Sequence, residues 1–593
     1  MTDNTTLSRV NRHLLILYAT ETGTAQETAD RISRECRRAY FQCRVCSMDM
    51  YSPEALISET LVLFVVATTG SGAEPRAMTP LWNLLLRSHL PHDLFEDLDF
   101  SVFGLGDSAY ERFCWPAKKL CKRLLSLGAR EICPRGEGDD QHRLGLYGAL
   151  EPWIGNLLET LSRSYPSDSD VGNLRPPSKP PPRVITTDMA STPETLKPYS
   201  ADSNHFDVTV RRNRRITAED WFQDVRHFEF VSGRHIEYNP GDVAIIHPIA
   251  TGAEVDSFLL LMGWANLADA PFSILHSMLD QTLPDHIPCI TTLRVLFTHH
   301  LDFNAVPRRS FFQILRYFTT DDSERERLDE FLSLEGADEF YEYCQLVKRT
   351  IREVLSEFRS VRIPRDYIFD VFPPLRPRHF SIASSAKCHP REIHLCVAIV
   401  KYRTKLKMPR KGICTSYLAN LRPDDRLQIR VEKGIIKLPD NPHIPVICVG
   451  PGTGIAPMRA AIEDRIDAGS NATTLYFGCR SKCKDHHYGA EWETYAESKR
   501  ITYRVAFSRD GPEGTKRTYV QDLILKDKDS VWDLLNDQRG TLIISGSSNK
   551  MPAAVRRAIS SIAEDCGKML KEDALKFVNE MEREGRLIEE CWS

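Results

Sequence analysis

No stretch of the 593 residues stays apolar for long. The strongest run, Leu61–Ala67, is far short of the roughly 20 residues that cross a bilayer. The opening dozen residues are polar, so no signal peptide and no membrane anchor are expected. Cys591, with two residues after it, does not form a prenylation box. Charge of one sign is also lacking. Seventy-seven basic against eighty-one acidic side chains leave a net charge of −4, with no surplus to neutralise a nucleic-acid backbone. The sixteen cysteines lack the spacing of a disulfide framework, which points to reduced thiols and a cytoplasmic protein. Cys43 with Cys46, and Cys479 with Cys483, His486 and His487, have ligand-like spacing. No second pair completes either as a zinc ribbon or finger, so no metal is expected. The sequons at Asn4 and Asn471 are read as chance.

What is present is an ordinary globular composition, 42% hydrophobic and 27% charged, with length for about three or four domains. Residues 1–163 alternate short apolar strands (His13–Ala19, Leu61–Ala67, 100–104) with helical patterns near 26–38 and 116–127. That rhythm predicts a parallel sheet covered on both faces, with a ligand site at the carboxyl ends of its strands. Residues 164–204 are rich in proline, serine and aspartate and read as a mobile linker. Residues 205–440 show strand alternation at 206–210, 227–231, 243–247 and 393–400, interrupted by a charged helical stretch at about 254–357. This predicts a β-barrel with a helical insertion. Strand–loop–helix rhythm returns in 441–593, predicting a second parallel α/β domain and an α/β multidomain protein.

Three groups of loops carry chemistry. The first strand runs into Thr20, Glu21, Thr22, Gly23, Thr24 and Ala25 and then a helix. Hydroxyls, a glycine and free N–H groups at a helix start suit a phosphate; the lysine of a Walker loop is missing. Capping by Thr22 or Thr24 is the plain alternative. Ala67, Thr68, Thr69 and Gly70 follow one later strand. Gly104, Leu105, Gly106, Asp107, Ser108, Ala109 and Tyr110 follow another, where small residues let the backbone approach a planar ring and Tyr110 could stack on it.

The second group lies in the barrel. Arg378 can grip a pyrophosphate with two nitrogens. His379 follows, Phe380 offers a ring, and the Ser381 hydroxyl can bond a ring nitrogen whose protonation changes with redox state. Gly412, Ile413, Cys414 and Thr415 open a helix whose N–H groups face the same pyrophosphate.

The third group begins at Gly450, Pro451, Gly452, Thr453, Gly454, Ile455, Ala456 and Pro457. It fails the G-x-G-x-x-G pattern but keeps the glycine-rich turn between strand and helix that favours a pyrophosphate. Ser508, Arg509, Lys516, Arg517, Thr518, Tyr519, Val520 and Gln521 offer a hydroxyl, cations and a tyrosine for an adenosine 2′-phosphate, hence NADPH rather than NADH. A solvated basic loop is the alternative.

Residues 10–163 resemble the flavodoxin-like FMN domain of diflavin reductases. The barrel strings, with the turn at Tyr238, Pro240, Gly241 and Asp242, resemble the FAD domain of the ferredoxin–NADP reductase superfamily. The 450–457 loop resembles its α/β nucleotide domain. The resemblance implies an FMN set extended by Glu111, Arg112, Phe113, Cys114 and Asp140. It places Arg349 at the FAD adenosine end. It puts Trp592 over the FAD ring and Glu590 beside it, making Ser381, Trp592 and Glu590 the catalytic set. The sequence departs from the family pattern at Phe380, commonly tyrosine. It also departs at Arg517, commonly lysine; at Ala553 and Ala554, where an aspartate is frequent; and at Ser545, a cysteine in microsomal-type relatives. Taken whole, the chain resembles the cytosolic NADPH-dependent diflavin oxidoreductase family. That implies FMN, FAD and NADPH as cofactors and an anamorsin-type iron–sulfur protein as acceptor. A soluble donor to a haem protein, and a flavin-fold scaffold without catalysis, are the rival readings.

Overall fold

A computed structural model describes residues 12–70, 72–110, 112–166, 179–189, 205–278, 280–284, 286–333, 335–405, 407–511, 517–547 and 550–592. Contacts divide the chain into two compact units. One comprises residues 1–199, 252–375 and 404–406; the other comprises 200–251, 376–403 and 407–593. The helical insertion, expected to accompany the barrel, therefore packs in the unit of the N-terminal sheet.

In the first unit, β1 (His13–Ala19), β2 (Gln42–Ser47), β3 (Leu61–Ala67), β4 (Asp99–Gly106) and β5 (Arg130–Glu131) lie in the order β2-β1-β3-β4-β5. A sixth strand, β6 (Gly136–Asp139), pairs with β4, and all neighbours run parallel. The central strands β1 and β3 are almost continuously apolar because both their faces are buried. Leu15, Leu17, Phe64 and Val66 enter one core; Leu14, Ile16, Leu63 and Val65 enter the other. Helix α1 (Thr24–Arg38) covers the second face with Ala25, Ala29, Ile32 and Cys36. Since all strands are parallel, the loops after β1, β3, β4 and β6 emerge at one edge. The helical insertion runs from Gly252–Leu261 to Ile368–Val371, longer than the 254–357 expected.

The supposed linker is partly built into this unit. Val184–Asp188 forms a strand antiparallel to Phe272–His276 of the insertion. Arg183, just before it, is half-buried between Asp30 of α1 and Asp370 of the insertion, 3.1 Å from each. Composition hid this because the strand is short and flanked by proline. The rest of the linker expectation, 167–178 and 190–204, lies outside the described residues.

In the second unit, six strands form an antiparallel sheet in the order Arg378–Ser381, Val243–Ile246, Arg426–Glu432, His205–Arg215, Val225–Ser232, Glu392–Ala398. A bridge between Ile382 and Leu395 brings its two ends together, so the sheet is nearly a barrel. A five-stranded parallel sheet follows in the order Thr502–Phe507, Thr473–Cys479, Val446–Val449, Thr541–Ser547, Leu587–Trp592. Among the described residues no helix is long and apolar enough to cross a membrane.

Candidate functional site

At the carboxyl edge of the first sheet, Gly23 sits at φ 90°, in the left-handed region a side chain resists, and turns the chain from β1 into α1. Its N–H donates to Thr20 Oγ1 at 2.9 Å. Neither Thr22 nor Thr24 caps the helix; their hydroxyls lie 3.4 Å apart, and the N-cap position is Gly23, which makes no side-chain cap bond. The capping alternative is not realised, and the exposed donors remain for an anion. Glu21 accepts from the Arg76 N–H at 2.8 Å, tying this loop to its neighbour. Thr69 closes a tight turn, its N–H and hydroxyl both donating to Ala73 O. Asp139 accepts from Ser108 N–H at 2.9 Å and Gln141 N–H at 3.0 Å, which holds the 107–110 loop against Asp140. Burial, then Asp107 and Asp139, raise the Asp140 carboxyl above the ordinary range.

Several expected residues act differently. A Cβ on Gly106 would come 2.9 Å from the Cys114 nitrogen. The glycine therefore makes room for the following turn. Cys114 is buried there, its thiol pushed up to about 12, chiefly by burial. Leu105 and Ala25 are core side chains, leaving only their backbones to a ligand. Tyr110, Arg112 and Phe113 lie on the same loop, with Lys118 over the Phe113 ring at 5.1 Å. Glu111 lies outside the described residues. One residue had no local signal. Arg308, 284 positions from Thr24, donates to the Thr24 hydroxyl at 3.2 Å and pairs with Glu27.

In the second unit, the Arg378–Ser381 strand pairs with Val243–Ile246. Arg378 is exposed and bends only onto the carbonyls of Arg376 and Pro377. His379 lies 4.0 Å from Glu432, and Phe380 packs against the barrel core. Asp242 fixes the Tyr238–Asp242 turn by accepting from Asn239 and Gly434 N–H groups, a structural task. Gly412 opens the Ile413–Asn420 helix, again without a side-chain cap. Thr415 accepts from Val400 N–H at 3.1 Å, and Cys414 is buried with its thiol raised to about 12 by burial. Arg349 belongs to the other unit, where Glu357 and the Tyr343 ring, 4.1 Å away, hold it.

The Ser381 hydroxyl donates to Glu590 Oε2 at 3.4 Å, although 209 positions separate them. Glu590 is in register with Ser545 on the adjacent strand. This joins the barrel rim to the end of the nucleotide sheet. The backbone of Trp592 pairs with Ser547; its side chain is outside what is described.

Around the 450–457 loop, the Ile455–Asp467 helix starts without a side-chain cap. Ser508 bonds Cys479 O through its N–H and its hydroxyl, and Arg509 N–H bonds Arg480 O. These bonds set Arg480 beside Arg509. Burial, then Arg509, with Arg517 a further like charge, lowers the Arg480 guanidinium from its ordinary value. Such a crowd of cations is relieved by a phosphate. Arg480 had been passed over because it lies on a different strand end from Arg509. Tyr519 and Thr518 are exposed and Gln521 is half-buried, whereas the Val520 side chain is core. Lys516 lies outside the described residues.

The metal-like spacings do not converge. Cys43 and Cys46 join opposite cores across their strand, and His486 bonds Tyr503 OH at 2.6 Å. His389, Glu392 and His394 come within ligand reach of one another. Arg211 holds both Glu392 oxygens, and Arg459 lies 3.4 Å from His394 Nδ1.

Of the four buried hydroxyls without a partner among the described residues, Thr291 Oγ1 lies in the helical insertion; the other three are Thr68 Oγ1, Ser416 Oγ and Ser545 Oγ. One lies in each predicted ligand region: the 67–70 loop, the first turns of the Gly412 helix and the end of the nucleotide sheet. Buried polar groups are normally bonded, so these atoms fit bound FMN, FAD and nicotinamide nucleotide.

Comparison with known proteins agrees with this geometry. Residues 16–153 match the flavodoxin family, 198–417 the FAD binding domain, and 448–557 the oxidoreductase NAD-binding domain. The chain is 39% identical over 602 residues to "NADPH-dependent diflavin oxidoreductase 1" of Danio rerio, covering 98% of this chain and 99% of that protein. The proteins of the same name from Mycosarcoma maydis and Schizosaccharomyces pombe are 38% and 36% identical. Those matches cover 98% of this chain, and 98% and 100% of the two relatives. The chain therefore belongs to the NADPH-dependent diflavin oxidoreductase family, as an oxidoreductase whose cofactors are FMN, FAD and NADPH.

Proposed function

We propose that this protein passes electrons from NADPH by way of FAD and FMN to an anamorsin-type iron–sulfur protein, serving cytoplasmic iron–sulfur cluster assembly. When bound, FAD would supply a hydride acceptor and FMN a single-electron donor, while the protein supplies positioning and electrostatics. In this reading the 20–25, 67–70 and 105–114 loops with Asp140 hold FMN. Arg378 to Ser381 and Gly412 to Thr415 hold FAD. The 452–454 turn, Ser508, Arg509 and residues 516–521 hold NADPH. Ser381 presents a hydroxyl to the flavin ring, Glu590 keeps that hydroxyl oriented, and Trp592 covers the ring until nicotinamide arrives. The observation that carries the route is the Ser381–Glu590 contact, which puts the barrel rim at the end strand of the nucleotide sheet.

The acceptor rests on the whole-chain resemblance. It is tested by mixing the NADPH-reduced protein anaerobically with an anamorsin-type iron–sulfur protein and, separately, with a P450 haem protein. Bleaching of the cluster absorbance, faster than haem reduction, is the expected result. Reduction of the haem alone would replace this acceptor with the other.

A further inference from the structure

The 20–25 loop has a charge problem. A flavin mononucleotide phosphate is close to a dianion at neutral pH, yet the loop offers hydroxyls, N–H groups and one carboxylate, Glu21. No cation lies within it. The helical insertion brings one. Arg308 stands at the start of the Arg309–Leu315 helix, and its guanidinium reaches across to α1. One nitrogen donates to Thr24 Oγ1 at 3.2 Å and another pairs with Glu27. Glu27 is fixed from its other side by the Ser310 hydroxyl. Thr24 is the first residue of α1, whose first-turn N–H groups receive no side-chain cap from Gly23 at the N-cap. An anion held by that hydroxyl and those N–H groups is thus an immediate neighbour of the guanidinium. Arg308 also acts electrostatically on Asp140, on the loop that flanks the same edge. It therefore stands between the loop suited to a phosphate and the loop beside the expected ring.

We propose that Arg308 is the cationic ligand of the FMN phosphate, delivered from the helical insertion, so that FMN binding and the packing of the insertion on α1 reinforce each other. The argument rests on placing the phosphate at the 20–25 loop. Linkage makes the coupling reciprocal: whatever Arg308 adds to FMN affinity, bound FMN adds to the hold of the insertion. Other contacts between the two elements, such as Ser33 to Asp280 at 3.0 Å and Arg31 to Gln313 at 2.7 Å, do not involve the loop. Packing thus has a part that FMN strengthens and a part it leaves alone.

Riboflavin, which lacks the phosphate, separates a phosphate ligand from a structural latch. The full-length protein freed of FMN is titrated with FMN and with riboflavin, in wild type, Arg308→Met, Arg308→Lys and Thr22→Val. Loss of one charge-assisted contact weakens binding roughly ten- to a hundredfold. That loss is expected for FMN in Arg308→Met, with riboflavin within about twofold, FAD content unchanged, and Arg308→Lys intermediate. Thr22→Val should lose FMN in the same selective way. FMN should also slow amide exchange over residues 309–315 in wild type and not in Arg308→Met. Equal loss of both flavins in Arg308→Met, or no loss of either, overturns the proposal while Thr22→Val upholds the loop. If Thr22→Val spares FMN as well, the phosphate lies elsewhere and the placement itself is wrong.

Discussion

The 20–25 loop and the 450–457 loop are built alike. In each, a buried parallel strand ends, a glycine-containing turn redirects the chain, and a helix begins with no side-chain cap. They differ in the source of positive charge. The nucleotide sheet gathers Arg480, Arg509 and Arg517 from neighbouring strand ends and loops of its own domain. The first sheet takes Arg308 from an insertion 284 residues away. A site that collects its charge locally can be assembled from one domain. A site that borrows it depends on how firmly another element is held. The first unit should therefore respond most to damage at the joint between sheet and insertion, and the second to changes in its own side chains.

The largest effect should come from Arg183. It is half-buried, its guanidinium bonds the buried carboxylates of both Asp30 and Asp370, and it also donates to Thr282 O at 2.6 Å. Removing one partner from a buried ion network strands the others, at a cost of about 3–5 kcal/mol. Arg183→Met leaves two carboxylates facing each other and should lower the unfolding midpoint of the first unit, read by urea titration of tryptophan fluorescence. It should also loosen the insertion and with it FMN retention. An unchanged midpoint would mean that the segment before Val184–Asp188 is only a tether. For the same reason, cutting the chain at 167–178 should leave the N-terminal domain bound to the remainder.

Acidification should separate the two units in the opposite sense. Burial, then Arg459, lowers His227 to about 4 and His394 to about 2, and burial lowers His487 to about 4; all three are in the second unit. In the first unit burial also shifts His299 down. A histidine whose folded value lies below its unfolded value, about 6.5, stays neutral in the fold while the unfolded chain takes up a proton. Its contribution is complete above that value and drains away as pH falls below it. Between pH 6.5 and 4 the second unit should lose more stability than the first. Amide exchange by peptide at pH 7 and pH 5 would show opening first in residues 444–592. Equal acceleration in residues 13–164 would contradict this.

These contrasts also mark how much could be read from the chain alone. The parallel sheets were legible because His13–Ala19 and Leu61–Ala67 are apolar throughout, as strands buried on both faces must be. The turns without side-chain caps at 20–25 and 450–457 were legible because glycines and hydroxyls between strand and helix are a local pattern. Arg308 and Arg480 were not, since neither carries a neighbouring signal and only tertiary contact assigns them. Val184–Asp188 was lost in proline-rich surroundings, where composition outweighed a five-residue strand. The close approach of Cys114 to Gly106 was not legible, because sequence does not show which later residue packs against a glycine.

Within the nucleotide site, Arg509→Ala tests local charge collection directly. Losing one charge-assisted contact should weaken NADPH roughly ten- to a hundredfold and NADH little. Steady-state kinetics with both nucleotides decide it. Equal losses would place the 2′-phosphate elsewhere. Trimming Trp592 should act oppositely and raise the use of NADH, since it removes the ring expected to cover the flavin while leaving the cations intact.

The smallest effect is also the most direct comparison of the two sources of charge. Arg509 and Arg517 are exposed, Arg480 is half-buried, and solvent ions reach all three. Arg308 is half-buried and engaged on two sides by Thr24 and Glu27. Screening acts strongly on exposed charges and weakly on enclosed ones, with a Debye length of about 10 Å at 0.1 M salt and about 3 Å at 1 M. Raising the salt concentration should therefore raise the KM for NADPH several-fold while the FMN content after gel filtration stays constant. The slope of log KM against log salt should be shallower in Arg509→Ala, because one screened contact is already gone. If FMN is lost in step with the rise in KM, then Arg308 is as open to solvent as the nucleotide cations. The distinction between collected and borrowed charge would then fail.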